Sequence, residues 1–457
     1  MKFRKLASKL FVGLAALATL AMVACSSQGK FGKSLSHQEY MNTKDGETVV
    51  IEGYIQARRT WWNGAVLYLQ DDNGGYFVYN LPCTEEEYKT QLKVGNKIQV
   101  KGYKTSWQNE VEILGDQSGK EAEWNLMSGT KTYQAKKLAK LSDGLANQNS
   151  FVAYDGLIVS NVYEEGRNVY YDVTNGTDLY TFCVETYMET TPKTSETYKT
   201  VAGLQKGDVI DVEGFQYIYG TPQLHTTKVT KQNKNVFDKA SGVLSYTEFT
   251  QKAKGETVKI SGYIMDKQSW WEKDGQGRST FYVADKDGGY YVYNLFCTKD
   301  EFENKLKVGA HIEVEGYKTE WKGEVEIQGG QSGKEATFKV LEDYTFLASA
   351  KDLTSSFTNV ETLLSYINQK VTFKGLEVVS VTQPTSDNGD IYYDVKLTEG
   401  DKTQTYTFCV ESYLRDKTTD VYKTVLALKA GDKINVTGYM YVYQNPQLHT
   451  IECTVVK

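Results

Sequence analysis

The sequence predicts an all-β protein with short helices, organised as four consecutive five-stranded barrels. The first observation behind this prediction is an internal repeat with an A–B–A′–B′ arrangement. The segment 74–80 (GGYFVYN) recurs as 288–294 (GGYYVYN), and the tetrapeptide Pro-Gln-Leu-His stands at both 222–225 and 446–449. The second observation is that apolar and polar residues alternate in short runs bounded by turn residues, which is typical of half-buried strands.

The elements of each unit follow one another in a fixed order. Ser36 and Glu39 have the spacing of a helix-capping box, as have Ser245 and Glu248 in A′, so each A unit is expected to open with a short helix. The Asp-Asp-Asn-Gly-Gly run at 71–75 predicts a hairpin turn. In A we predict strands at 47–57, 66–70 and 76–81, a helix at 85–92, and strands at 98–103 and 111–114. In B we predict strands at 152–161, 169–174 and 179–184, a helix at 197–204, and strands at 209–215 and 223–229.

Three strands, a helix and two further strands is the element order of the OB-fold, a small five-stranded Greek-key barrel. A series of immunoglobulin-like sandwiches is the alternative, but that fold needs about seven strands per domain and no helix after the third. The sequence therefore favours OB-fold-like barrels. The expected boundaries are 36–130 for A, 131–235 for B, 236–345 for A′ and 346–457 for B′.

Two phrases around the fourth predicted strand carry a family resemblance. Leu-x-x-Gly-Asp/Asn-x-Ile-x-Val-x-Gly stands at 92–102 and 204–214, and Tyr-Gly-Thr-Pro-Gln-Leu stands at 219–224. They resemble the OB-like domains found in bacterial secreted lipoproteins and alongside extracellular nucleases. The resemblance covers essentially the whole mature chain. It implies the fold and leaves the function open, because such domains occur with unrelated partners.

The N-terminus has the pattern of a secretory signal peptide. Basic residues within 2–9 precede an apolar stretch at 10–24, which is too short for a convincing membrane span. The junction at Cys25 resembles the lipobox of bacterial lipoproteins, although Met22 departs from the usual aliphatic residue. That resemblance implies a signal peptide at 1–24, lipidation of Cys25, a tether at 25–35 and an extracytoplasmic position on the cell membrane or outer membrane. An ordinary cleaved signal peptide with an incidental cysteine is the alternative.

The composition bears on the class of ligand. The formal net charge is −6 at pH 7, and loss of the signal-peptide cations makes the mature chain more acidic. Proteins that bind nucleic acid through its phosphates usually carry a basic patch, and none is evident here. A glycan or a protein is therefore expected ahead of single-stranded nucleic acid.

Cysteines recur at matching positions, one in each unit: Cys83, Cys183, Cys297 and Cys409. A further residue, Cys453, has no counterpart in B. A secreted protein can form disulfides, so Cys83–Cys183 and Cys297–Cys409 bridges are conceivable. Buried free thiols at strand ends are the interpretation we favour.

The candidate binding residues are aromatic. An OB-fold binds ligands on the face of strands two and three, between the loop that joins strands one and two and the loop that joins strands four and five. The predicted ligand-binding residues in A and A′ are Trp61, Trp62, Trp107, Tyr79, Trp270, Trp271, Trp321 and Tyr293. Those in B and B′ are Tyr219, His225, Tyr443 and His449. The alternatives are that the tryptophan pairs form a lid over the barrel end and that the histidines make structural hydrogen bonds.

Two groups of charged residues accompany these aromatics. Arg58 and Arg59 precede the first tryptophan pair, but Lys267 and Gln268 replace them in A′, which argues against a required phosphate clamp. The alternating glutamates Glu110 and Glu112 in A, with Glu324 and Glu326 in A′, are expected on a solvated strand face.

No catalytic motif is present. The chain lacks a Ser-His-acid order, an H-E-x-x-H motif and a nucleophile elbow. The segments 115–120 (GDQSGK) and 329–334 (GGQSGK) are not phosphate-binding loops, because only three residues separate the two glycines and Glu follows the lysine. We therefore expect no enzyme activity, no metal and no cofactor. The expected function is non-catalytic ligand binding at the cell envelope, with a nucleic-acid or nuclease-accessory role or a purely structural spacer as alternatives.

Overall fold

The structure is a computed structural model that describes residues 29–238, 240–331 and 333–456. The predicted signal peptide and Cys25 lie outside the described residues. Within the described residues, no helix is both long enough and apolar enough to cross a bilayer.

Module A is a closed five-stranded barrel. Its strands 1 to 5 are Thr48–Arg58, Ala65–Gln70, Gly75–Leu81, Asn96–Trp107 and Glu110–Leu114. They are paired in the order 1-2-3-5-4, and strand 1 closes the barrel by pairing with strand 4. Strands 3 and 5 run parallel, whereas the other neighbours are antiparallel. This arrangement confirms the OB-fold-like architecture that the element order predicts.

The same order and the same 1–4 closure recur in the other three modules. In B the five strands are Phe151–Glu165, Asn168–Thr174, Leu179–Val184, Asp208–Tyr219 and Thr221–Asn235. In A′ they are Thr257–Lys267, Gln276–Ala284, Gly289–Phe296, Ala310–Trp321 and Glu324–Gln328. In B′ they are Lys370–Thr382, Ile391–Glu399, Lys402–Val410, Lys433–Tyr443 and Asn445–Val455.

Short helices accompany the barrels. The expected opening helices of the A modules are His37–Asn42 and Tyr246–Gln251, and both have the predicted capping box. The helices between strands 3 and 4 are Glu85–Thr90, Glu196–Ala202, Glu301–Lys305 (a π-helix) and Asp420–Ala427. The remaining short helices are Leu141–Asn147, Thr354–Ser356 and Val360–Leu364.

The A modules also have a sixth strand, which was not predicted. Glu123–Thr130 and Thr337–Thr345 pair with strand 4 on the outside of the barrel. Smaller strands at Lys136–Lys137, Trp271–Lys273, Gly330–Gln331, Lys334–Glu335 and Lys351–Asp352 complete the sheets.

Each barrel has its own apolar core. Strand 1 of A shows the reason, since its inward residues Val49, Ile51 and Ile55 are buried and alternate with partly exposed neighbours. Because successive side chains of a strand point to opposite faces, this alternation places one face of the strand inside the barrel. Separate clusters of the same kind fill the other three modules.

Further apolar clusters join one barrel to the next. One lies between A and B, one between A′ and B′, and a third connects B to A′ around Phe237 and Tyr263. Because each A module is packed on its own B module, the molecule contains two related pairs, A–B and A′–B′.

Candidate ligand-binding cleft between paired modules

The partner B module packs against the face of strands 2 and 3 in each A module. In A′–B′ the Tyr282 ring stacks on Tyr439 with centroids 4.3 Å apart, and Tyr291 makes an edge contact with Tyr441 at 5.5 Å. The A–B pair repeats the first contact as Tyr68 on Phe215, at 4.5 Å. Much of the surface on which an OB-fold ordinarily binds ligand is therefore an interface between modules.

The repeated histidines lie inside these interfaces. Nδ1 of His449 is 2.7 Å from the Tyr282 hydroxyl, and its ring stacks on Tyr441 with centroids 4.1 Å apart. His225 makes the matching 2.7 Å contact with Tyr68. Burial lowers the pKa of His225 to about 4 and that of His449 to about 3, so both rings are neutral at pH 7. Their position is the floor of the interface rather than its rim.

The glutamates at the start of strand 5 are also buried, which corrects the expected solvated face. The Glu324 carboxylate accepts hydrogen bonds from Nδ2 of Asn368 at 2.7 Å and from the Val442 amide at 3.1 Å. Glu110 accepts from the Ile218 amide at 2.7 Å. Loss of solvent raises the pKa of each carboxyl to about 8. The expectation was wrong because the B module covers this face of strand 5.

A cleft of about 800 Å³ remains where A′ and B′ diverge. Aromatic side chains form both walls. Those of A′ are Trp271, Tyr291, Tyr293 and Trp321. Those of B′ are Tyr392, Tyr413, Tyr441 and Tyr443.

Polar groups are placed between these rings. The amides are Gln268, Asn294, Gln328 and Gln447, and the carboxylates are Glu326, Asp390 and Glu411. Among the described residues that line the cleft, none is lysine or arginine. Two cations stand beside the rim: Arg278 lies 4.7 Å from the Trp271 ring centroid and Lys322 lies 4.9 Å from that of Tyr443. The cleft itself is aromatic and acidic.

The predicted tryptophans fall into two groups. Trp61 and Trp270 pack against the barrel cores, and Nε1 of Trp270 donates to the Cys297 carbonyl at 3.0 Å. Trp62, by contrast, is 84% exposed. The first tryptophan of each pair therefore has the position of a lid over the barrel end, whereas Trp62 is exposed and Trp271 lines the A′–B′ cleft.

The structure brings part of the predicted set together and leaves the rest apart. Trp271, Trp321, Tyr293, Tyr443 and His449 all line the A′–B′ cleft. In A–B, Trp107 and Tyr219 lie 5.3 Å apart at the matching rim, and both are exposed. Tyr79 packs beside the A–B interface cluster.

Residues that sequence reasoning did not propose for ligand binding include Glu326, Glu411, Asp390 and Tyr413. A signal for one of them was present, because Glu411 and its counterpart Glu185 end the repeated Phe-Cys-Val-Glu phrase. The others follow only from the way in which the two barrels are packed.

The arginines of A are held in ion pairs. Arg59 binds Glu185 with both ends of its guanidinium, at 2.6 and 2.8 Å, and Arg58 binds Glu189 at 2.6 Å. In A′–B′ a different pair is formed, since Arg415 of B′ binds Asp266 of A′ at 2.5 Å, and Asp266 corresponds to Ala57 rather than to Arg58. Position 415 corresponds to Glu189, so the two interfaces use opposite charges at this point.

One cysteine, Cys409, lines the cleft. The described cysteines are free thiols, and Cys183, Cys297 and Cys409 are buried. Within the described residues, no group of three or more His, Cys, Asp or Glu side chains is arranged to hold a metal ion.

Comparison with known proteins identifies no family. No protein-family model matches the chain, and no curated protein matches it. Several solved structures match it at low sequence identity. A replication protein A heterotrimer bound to single-stranded DNA is 9% identical with a TM-score of 0.19, and the match covers 67% of this chain and 93% of that chain. The structure of fission yeast Pot1 and single-stranded DNA is 12% identical with a TM-score of 0.23, covering 47% and 88%.

A third structure, the p204 HINb domain, is 13% identical with a TM-score of 0.16, covering 40% of this chain and 95% of that chain. At these TM-scores the overlap carries no argument about function. The OB-fold-like assignment instead follows from the strand order and barrel closure of this chain.

Proposed function

We propose that this protein is a non-catalytic glycan-binding protein of the bacterial cell envelope, with its binding site in the A′–B′ cleft. The observation that carries the proposal is a cleft of about 800 Å³ whose walls are aromatic and whose remaining lining is amide and carboxylate. Ligand sites commonly combine apolar and aromatic walls with a few convergent polar groups.

The lining chemistry suits a sugar chain. Flat rings such as those of Trp321 and Tyr443 can pack against the C–H faces of pyranose rings. Amides such as Gln447 and Asn294 can both donate and accept, as sugar hydroxyls require. Trp321 is 58% exposed and stands at the rim, so a chain longer than one sugar can enter the cleft and extend out of it.

A single-stranded nucleic acid is the second candidate. The exposed rim aromatics favour it, because bases stack on such rings. The carboxylates Glu326, Asp390 and Glu411 oppose it, since they would repel phosphates and no lysine or arginine lines the described cleft. Affinity that falls steeply with salt would identify this second function.

The binding test is a glycan array probed with the mature protein, followed by titration calorimetry on the hits. We expect Trp321→Ala/Tyr443→Ala to weaken binding at least about tenfold, because two aromatic contact surfaces are removed. Trp107→Ala/Tyr219→Ala is the matched control, since it removes the corresponding rim of A–B. Equal affinity of the first variant and the wild type would reject the A′–B′ cleft as the site.

The envelope location is a separate part of the proposal and rests on the lipobox resemblance at Cys25. Metabolic labelling with an alkyne-bearing fatty acid should mark the wild-type protein and not Cys25→Ala. A labelled Cys25→Ala variant, or an unlabelled wild type, would refute lipidation at this residue.

A further inference from the structure

The two module pairs differ at one position inside the interface. In A–B this position is Arg59, whose guanidinium binds Glu185 and lies 5.6 Å from the Phe77 ring centroid and 6.0 Å from that of Tyr79. Those distances are within the range of cation–π contact. The A–B pair therefore contains a slot, built from a carboxylate and aromatic rings, that the protein fills with its own cation.

In A′–B′ no lysine or arginine among the described residues lines the same slot. Gln268 replaces Arg59, and its Nε2 donates to the two Glu411 carboxylate oxygens at 2.7 and 2.8 Å. The carboxylate is retained, because Glu411 corresponds to Glu185, and the rings are retained as Tyr291 and Tyr293. A neutral amide satisfies hydrogen bonds but supplies no charge. The negative charge of Glu411 is thus not compensated by the residue that compensates it in A–B.

Glu326 is a second carboxylate without a partner. It lines the cleft and is only 7% exposed, and neither a hydrogen bond nor an ion pair joins it to any described residue. Burial raises the pKa of Glu326 to about 7, although the charge of Lys254 acts in the opposite direction. In A–B the Arg59 charge lowers the pKa of the corresponding Glu112, partly offsetting the rise that burial causes. An unpaired buried carboxylate is costly, so a group that pairs with it would be stabilised.

A third residue difference between the two pairs also makes the A′–B′ cleft more negative. Asp390 lines the A′–B′ cleft, and its counterpart in B is the uncharged Asn168. The loss of the arginine and the gain of this aspartate each make the A′–B′ cleft more negative by one formal charge. The duplicated pairs have therefore diverged in charge while keeping the same aromatic frame.

We propose that the A′–B′ cleft selects a cationic glycan, one with a free amino group on its sugar, and that the ammonium binds beside the Gln268 amide, close to the place of the Arg59 charge in A–B. This inference rests on the proposed glycan-binding function and specifies its ligand class. Glu326 and Glu411 pair with the ammonium, and the tyrosine rings supply cation–π contact. The neighbouring rings contact the rest of the sugar chain.

The two obvious competitors fit the slot less well. A neutral sugar would enclose Glu326 and Glu411 without providing either with an opposite charge. A hard metal cation needs about six oxygen ligands at short distance, whereas this slot is lined largely by aromatic rings. An ammonium group satisfies both the carboxylates and the rings.

The test compares glucosamine oligosaccharides with N-acetylglucosamine oligosaccharides of equal length, by titration calorimetry at neutral pH and low ionic strength. The two probes differ mainly in that acetylation removes the charge of the amine. We expect the glucosamine oligomer to bind about tenfold tighter, as a desolvated cation in contact with aromatic rings would. A lysine-rich peptide of similar length is the third probe, and its binding as tightly as the glucosamine oligomer would overturn the assignment to a sugar.

Two variants test which residues cause the preference for the glucosamine oligomer. Gln268→Arg places in A′ the cation that A has, and we expect it to abolish the preference for the glucosamine oligomer. Glu326→Gln removes one charge with little change in shape and should reduce the preference severalfold. It serves as the test if Gln268→Arg folds poorly. Gln276→Arg is the control, because it adds the same charge at an exposed position outside the cleft.

The possible failures are distinct. If both probes bind equally and Trp321→Ala/Tyr443→Ala loses both, the glycan-binding function stands and selection of a cation is refuted. If the preference survives Gln268→Arg and Glu326→Gln, the amine is bound elsewhere and this inference is refuted. If neither probe binds and the glycan array shows no hit, the proposed function and this inference fail together.

Discussion

The Tyr282 hydroxyl of A′ lies 2.7 Å from Nδ1 of His449 in B′, and the Tyr68 hydroxyl of A lies at the same distance from Nδ1 of His225 in B. Each contact is fully buried and joins residues that are more than 150 positions apart in the chain. The Pro-Gln-Leu-His phrase is therefore part of the joint between modules. Both partners are retained in both pairs, so the duplication preserved this joint.

Tyr282→Phe should loosen the A′–B′ joint. The variant keeps the ring that stacks on Tyr439 but leaves Nδ1 of His449 buried without a partner, at a cost of about 1–3 kcal/mol. Hydrogen exchange of the strand Asn445–Val455 is the readout, and its protection should fall. Tyr68→Phe is the matched variant, and it should affect Thr221–Asn235 instead. Unchanged exchange in both strands would show that the hydrogen bond contributes nothing to docking.

The buried glutamates predict a loss of stability at alkaline pH. The pKa of Glu324 rises from an ordinary 4.5 to about 8, so the folded chain keeps a proton that the unfolded chain releases. The resulting stability is complete below pH 4.5 and is lost as the pH rises through about 8. Glu110 behaves alike, with a pKa of about 8.

The test of this prediction is the double variant Glu110→Gln/Glu324→Gln, which removes both titrations. Its melting temperature should depend less on pH between about 5 and 8 than that of the wild type. Groups that face Glu324 include Asn368, the Val442 amide and the neighbouring carboxyl of Glu326. If the melting temperatures of variant and wild type depend on pH in the same way, the raised pKa values assigned to Glu110 and Glu324 are contradicted.

The ion pair between Arg415 and Asp266 predicts that reversing both charges restores part of the stability lost when only one is reversed. Both side chains are largely buried in the A′–B′ interface. Arg415→Glu should destabilise docking by about 3 kcal/mol or more, because it places two partly buried carboxylates together. Addition of Asp266→Arg should recover part of this loss. Thermal unfolding of the single and double variants measures the coupling, and strictly additive losses would show that the pair does not interact.

The thiols should differ in reactivity. Burial raises the pKa of Cys183 and Cys409 well above its ordinary value, so little thiolate is present near neutral pH. The native protein should therefore be alkylated at the half-buried Cys83 before it is alkylated at these two residues. Mass spectrometry of tryptic peptides after timed iodoacetamide treatment measures the order. A bridged Cys83–Cys183 peptide would refute the free-thiol assignment.

The barrels themselves could be predicted from the sequence because their signals are local. Alternation on strand 1 of A, the turn at 71–75 and the capping box of Ser36 each depend on a few neighbouring residues. Together they determine the order of elements, and the order determines the barrel. The sixth strand of A, Glu123–Thr130, was missed because it lies on the outside and shows no regular burial pattern.

The site could be predicted only in part. Alternation places Glu324 and Glu326 on the outward side of strand 5, and that much is correct, since Val325 and Ile327 pack with the core. Periodicity does not reveal what lies beyond the barrel. The outward face is covered by B′, so residues expected in solvent are buried. Trp321 and Tyr443 could be named beforehand because loop aromatics are visible in sequence, whereas their meeting in one cleft depends on docking.

The different ion pairs of the two interfaces have a consequence for how a duplicated chain reaches its native state. Two similar A modules and two similar B modules could dock in the wrong combination, within one molecule or by exchange between two, as repeat proteins are prone to do. Docking of A on B′ would bring Arg58 towards Arg415 and would place Ala57 where Asp266 pairs with Arg415, whereas in A′ the position of Arg58 is held by Lys267. Docking of A on B′ thus sets like charges against one another where each correct combination makes a salt bridge. Divergence at these few positions therefore favours docking of each A module on its own B module.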